Sequence, residues 1–98
     1  MTIRKTLEND QLTVALEGRL DTVTAPQLEG ELRTAVSGVS RLVFDLGALE
    51  YVSSAGLRVL LSAQKVMSRQ GSMTIRNVSP EIMEIFDVTG FTDILSIE

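Results

Sequence analysis

The 98-residue sequence contains no cysteine and no histidine. The first absence excludes disulfides, zinc fingers and thiol catalysis together. The second removes the usual general base and the commonest metal ligand. Clustered positive charge is missing too: the nine Lys and Arg residues are scattered, and the formal net charge is −4. Nucleic acid is therefore not an expected partner. No apolar stretch approaches the roughly 18–20 residues that span a bilayer, and Met1 to Asp10 lacks the apolar core of a signal peptide. The expectation is a soluble cytoplasmic protein with no membrane, metal or cofactor. What remains is ordinary globular composition, 44% hydrophobic and 22% charged. That suits one small domain over residues 1–98, with no room for a second core.

The first two segments read as a hairpin. Ile3 and Leu7 precede the turn signal Asn9-Asp10, after which Leu12, Val14 and Leu16 alternate with polar or small residues until Gly18 ends the strand. Thr24-Ala25-Pro26-Gln27 then starts a helix, with Thr at N-cap and Pro inside the first turn. Leu28, Leu32, Ala35 and Val36 follow at helical spacing, and Gly38 is its natural stop. Leu42-Val43-Phe44, closed by Asp45-Leu46, reads as a central strand buried on both faces. A second helix starts near Ser53-Ser54 and runs through Leu57, Leu60, Leu61 and Met67 to Gly71. Met73 and Ile75 mark another strand, Ser79-Pro80 caps a third helix that Gly90 closes, and Ile94, Leu95 and Ile97 suggest a last short strand. The order β-β-α-β-α-β-α-β implies an α/β fold whose mixed sheet is parallel in its later part.

In such sheets sites gather beyond the carboxyl ends of strands. Two segments qualify, Gly18–Thr24 and the longer stretch Asp45–Leu57, both read as loops. The second ends in hydroxyls and a glycine at a helix N-terminus, where free N–H groups and the helix dipole favour an anion. Ser53 or Ser54 is either a plain N-cap, worth about 1 kcal/mol, or a serine presented to a kinase. Arg58 in the first turn opposes the dipole slightly; it is either a solvated side chain or a group facing an anion or partner. Asp21 and Asp45 read as a carboxylate pair at adjacent strand ends, or as two separate acceptors for loop N–H groups. No phosphate-binding glycine motif is present. Without a nucleophile–base pair, enzymatic activity is the least expected function.

Phe44-Asp45-Leu46, followed by Tyr51-Val52-Ser53-Ser54-Ala55-Gly56-Leu57-Arg58-Val59-Leu60-Leu61, resembles the STAS domain, the module of bacterial anti-sigma factor antagonists. Gly18-Arg19-Leu20-Asp21 with Thr24-Ala25 is similar to the family's other loop signature. The resemblance implies a stand-alone STAS fold: a four-to-five-stranded mixed sheet with helices mainly on one face. It further implies a monomeric partner switch. The unphosphorylated antagonist binds an anti-sigma factor that is also a serine kinase of the histidine-kinase-like ATPase fold. Phosphorylation ends the binding, and a PP2C-type phosphatase restores it. The family pattern Asp-Ser-Ser-Gly reads Ser53-Ser54-Ala55-Gly56 here. Ala55 cannot accept phosphate, so Ser54, matching the first family serine, is the expected acceptor and Ser53 the second candidate. Asp21, Thr22, Ser53, Ser54, Ala55, Gly56 and Arg58 form the expected partner face. The alternative is an unphosphorylated scaffolding or ligand-sensing STAS subunit.

Overall fold

A two-residue turn at Asn9-Asp10 joins β1 (Thr2–Glu8) to β2 (Gln11–Leu20), with pairing from Glu8↔Gln11 to Thr2↔Glu17. Asn9 takes φ 57°, a left-handed conformation that asparagine tolerates better than most residues. The computed structural model describes all 98 residues. After the hairpin come α1 (Ala25–Ala35), β3 (Arg41–Val52), α2 (Ser54–Gln70), β4 (Ser72–Arg76) and α3 (Pro80–Thr89), followed by a 3-10 turn at Phe91–Asp93. The four strands lie in the order β1-β2-β3-β4. The hairpin is antiparallel, and β2–β3 and β3–β4 are parallel. The expected mixed α/β sheet is present.

Three expectations about the strands are corrected. Asp45 to Val52 is not a loop: β3 continues to Val52, and β2 runs beside it past Gly18 to Leu20. The pairing steps from Ala15↔Asp45 to Glu17↔Ala48 and from Gly18↔Leu49 to Arg19↔Tyr51. Each step places one extra residue on β3, which is a β-bulge. The buried positions of β3 on the core side are therefore Leu42, Phe44, Leu46, Leu49 and Val52. Their spacing changes from two to three at the bulges, which hides the strand from a period-two reading. Second, the last strand shrinks to one parallel bridge, Ile75↔Ile97. Its bonds are Ile75 N–H to Ser96 O and Glu98 N–H to Ile75 O, both 2.8 Å. Gly90, at φ 81°, turns the chain into the 3-10 turn before it can extend. Third, β3 is not buried on both faces. Val43 is the buried residue on the far side, where Asp45 is half-buried and Gly47 exposed.

The helices accordingly cover one face. Leu12, Val14, Leu16 and Leu20 of β2 point to it, with Leu28, Leu60, Met67, Ile82 and Phe86 from the helices above. Buried polar side chains are absent from this core, so its stability comes from apolar area, about 1.5–3 kcal/mol per fully buried large side chain. At the start of α3, Ser79 Oγ accepts from Ile82 N at 3.3 Å, with Pro80 directly after it. Thr24 takes the expected N-cap position of α1, but its hydroxyl makes no cap bond and is engaged by Asp21 N and Arg19 O instead. α1 also ends at Ala35, short of Gly38.

Candidate functional site

The carboxyl ends of β2 and β3 meet where Leu20 pairs with Val52. One residue further on, Ser53 N–H donates to Leu20 O at 2.9 Å, tying the start of α2 to the end of β2. Gly56 makes this approach possible. A Cβ there would lie 2.6 Å from Leu20 Cγ and 2.9 Å from Val52 Cγ2. The glycine is buried, so it belongs to the helix–sheet contact and not to the expected partner face.

Ser53 is the N-cap of α2. Its Oγ accepts from Gly56 N at 3.4 Å, and its carbonyl accepts from Leu57 N at 2.9 Å. Ser54, the first residue of the helix, is exposed, and its hydroxyl is left out of the cap. The two readings of this pair thus separate: one serine caps, its neighbour faces solvent. Ala55 is half-buried behind them. Arg58 lies one turn on from Ser54, on the same side of the helix. It is exposed and takes part in none of the three ion pairs.

The loop after β2 is organised by Asp21. Its Oδ1 accepts from Val23 N at 3.0 Å and Thr24 N at 3.1 Å. Thr24 Oγ1 accepts from Asp21 N and donates to Arg19 O, both at 2.8 Å. The Thr24 N–H bond, helped by Val23 N–H, the Thr24 hydroxyl and nearby Arg19, holds the Asp21 carboxyl below its ordinary value against some desolvation. Arg19 stacks on Tyr51, 4.4 Å from the ring centroid, with its Nε 3.8 Å from Asp21 Oδ2. Thr22 and Val23 form the exposed tip, Val23 being 84% exposed. Because Asp21 follows Leu20 and Ser54 follows Ser53, the Leu20–Ser53 hydrogen bond places the two segments side by side.

Asp45 lies elsewhere. It pairs with Ala15, five positions before Leu20 on β2, or about 17 Å along the strand. Its Oδ1 accepts from Gly47 N at 3.0 Å and Asn77 Nδ2 at 3.1 Å. Those two bonds lower its pKa in that order. The two carboxylates therefore do not pair, and the separate-acceptor reading holds: Asp21 closes its own loop, while Asp45 holds Gly47 N–H and the Asn77 side chain. No group of three or more Asp and Glu residues could hold a metal ion. The residues named for the expected partner face did not include Lys65 and Arg69, which line the exposed side of α2 with Arg58. Their signal was the complete absence of acidic residues from this helix.

Open sheet on one side, three helices on the other, and a capped helix start beside an aspartate-built loop define a small α/β module without a catalytic constellation on that edge. The family model described as "Mlab, STAS domain" matches residues 3–96. The chain belongs to the STAS domain family. It is 41% identical over 88 residues to BtrV of Bordetella bronchiseptica, provisionally named an anti-sigma factor antagonist, covering 88% of this chain and 76% of that protein. It is 33% identical over 91 residues to the anti-sigma-B factor antagonist of Bacillus subtilis, covering 92% and 83%. Among solved structures, an anti-sigma factor antagonist from Mycobacterium paratuberculosis superposes with a TM-score of 0.89 at 25% identity, over 98% of this chain and 83% of that one. No helix is long and apolar enough to cross a membrane.

Proposed function

We propose that this chain is an anti-sigma factor antagonist. It docks on an anti-sigma factor that is also a serine kinase of the histidine-kinase-like ATPase fold, thereby releasing a sigma factor in the cytoplasm. Phosphorylation of Ser54 ends the docking, and a PP2C-type phosphatase renews it. The observation that carries this reading is the division of labour at the start of α2: Ser53 holds the cap, while Ser54 is exposed beside the Asp21 loop. The names of the relatives support the same reading. A phosphate on Ser54 adds about −1.5 to −2 charges at pH 7. Gly56 and Leu57 N–H are already bonded to Ser53, so the cap survives the modification. Arg58 and the helix dipole hold the added charge. On the docking surface the same charge acts by desolvation and by repulsion from acidic partner groups.

The protein itself supplies no catalysis in this scheme. The kinase moves the γ-phosphoryl of ATP to Ser54 Oγ, whose proton is lost, and ADP leaves. Incubation with the serine kinases of this fold from the same genome, followed by phosphopeptide mass spectrometry, tests the proposal. Label on Ser54 is expected, with Ser54→Asp losing part of the binding and Ser54→Ala binding but resisting modification. Label on Ser53 alone refutes the acceptor. Binding with label on neither serine identifies a scaffolding subunit instead.

A further inference from the structure

Helix α2 carries three cations, Arg58, Lys65 and Arg69, and no carboxylate, in a chain of net charge −4. At about 100° per residue, these three and Ser54 fall within an arc of about 60°. All four are exposed, and none of the cations is engaged in an ion pair. Beside this stripe runs a groove of about 290 Å³ between α1 and α2. Leu32, Val36, Val59 and Ala63 line it, and Val66, 41% exposed, stands at its edge. On the α1 wall, Glu29 and Arg33 neutralise each other at 3.3 Å. The uncompensated charge of the rim is therefore positive.

An apolar floor beside unpaired cations matches an amphipathic helix that has acidic residues along one flank. We propose that the α1–α2 groove docks an acidic amphipathic helix of the protein partner. This rests on the antagonist reading above for the identity of that partner, the anti-sigma kinase. The stripe begins at Ser54, so a phosphate there offsets half or more of its three positive charges. The switch and the docking groove are then linked at Arg58: a phosphate on Ser54 competes directly with the partner's carboxylates for Arg58, one turn away, while Lys65, about 16 Å along the helix axis, meets it only as a screened charge. The chain's own α3 offers a rival occupant, since Glu81, Glu84 and Val88 lie exposed at i, i+3 and i+7. The apolar side of α3, Ile82 and Phe86, is however buried in the chain's own core, so a second copy could offer the groove little more than Val88. The partner's helix is the assignment made.

The test is a titration of the isotope-labelled protein, followed by NMR, with a synthetic helix about five turns long, leucine on one face and glutamate on the flank. A second peptide carries lysine in place of glutamate. The expected shifts are confined to Leu32–Val36 and Val59–Arg69, with affinity falling as salt is raised. Lys65→Glu combined with Arg69→Glu should weaken both the acidic peptide and the kinase by about tenfold. Equal binding of the lysine peptide, or shifts spread away from the groove, overturns the proposal. So does concentration-dependent self-association with shifts on α3, which gives the groove to a second copy. If the double variant binds the kinase normally and is still labelled on Ser54, the groove assignment fails and the antagonist reading stands. If the acidic peptide binds in the groove but no kinase of this fold binds the unmodified protein, the antagonist reading fails and the groove stands.

Discussion

Replacing Gly56 by alanine adds one methyl group where α2 crosses the ends of β2 and β3. The new carbon would sit 2.6 Å from Leu20 Cγ, 2.9 Å from Val52 Cγ2 and 3.0 Å from Leu20 Cδ2. The nearest of these is about 1 Å short of an ordinary carbon–carbon contact. Leu20 and Val52 are 0% and 2% exposed, so neither can swing into solvent. Overpacking of a filled core costs about 1–3 kcal/mol, and the two immobile neighbours put this site near the upper end. Alanine recovers about 1 kcal/mol of helix propensity over glycine. The net expectation is a loss of about 1.5 kcal/mol, which in a domain of this size lowers Tm by about 6–12 °C. Gly30→Ala is the control, because a Cβ there meets nothing within 4 Å. The same substitution in α1 should raise stability by about 0.5–1 kcal/mol. Urea unfolding followed by far-UV circular dichroism reads both variants. Gly56→Ala at or above the stability of the unmodified protein would refute the close-approach argument.

Gly71→Ala should be worse, since its Cβ would overlap the Ser40 carbonyl oxygen, which is fixed by its bond from Ser72 N at 2.9 Å. A loss of about 3 kcal/mol is expected, and a loss below about 1 kcal/mol in the same urea assay counts against it. Ser53→Ala should cost about 0.5–1 kcal/mol through the cap, whereas Ser54→Ala should stay within about 0.5 kcal/mol; the reverse order would exchange their roles. The lowered pKa of Asp45 fixes a sign. Its ionised carboxyl stabilises the fold fully above the ordinary value of 3.8, and this contribution is lost as pH falls below that value through the lower folded-state one. Asp45→Asn should flatten the acid limb of the thermal-stability profile, and an unchanged limb would contradict the hydrogen-bond cause.

The sequence signalled elements best where local rules sufficed without a distant partner. Ser79-Pro80 with Gly90 delimited α3 because cap, ring and left-handed stop all act within a few residues. Ser53-Ser54 marked the start of α2 for the same reason, although only the structure shows which serine caps. The far half of β3 was hidden because two bulges break its alternation, and those bulges are set by pairing with β2, a partner about thirty residues away. Ile94–Ile97 looked like a strand by its apolar content, yet Leu95 is used as a core plug and only Ile97 reaches the sheet. Asp21 and Asp45 could not be separated without the register that places them at different heights. The groove was invisible for a different reason: it needs two helices at once.

The start of α2 keeps what anchors the helix apart from what lies exposed. Consecutive helical residues point about 100° apart, so a single step along the chain separates the capping hydroxyl of Ser53 from the exposed hydroxyl of Ser54. What anchors the helix lies on the inner side of that step: Ser53 N–H on Leu20 O, the buried Gly56, and the Leu57 side chain, which is 6% exposed. What a partner can touch lies on the outer side, where Ser54 leads into Arg58, Lys65 and Arg69. Charge placed on Ser54 therefore changes the surface without loading the contacts that hold the helix to the sheet. The neighbouring Asp21 loop is closed by its own hydrogen bonds, with Oδ1 engaged by Val23 and Thr24 N–H, so it is held in place independently of Ser54. In the proposed switch, repulsion from Asp21 and attraction to Arg58 would act in the same direction, turning a phosphate on Ser54 towards the basic stripe and the groove beside it.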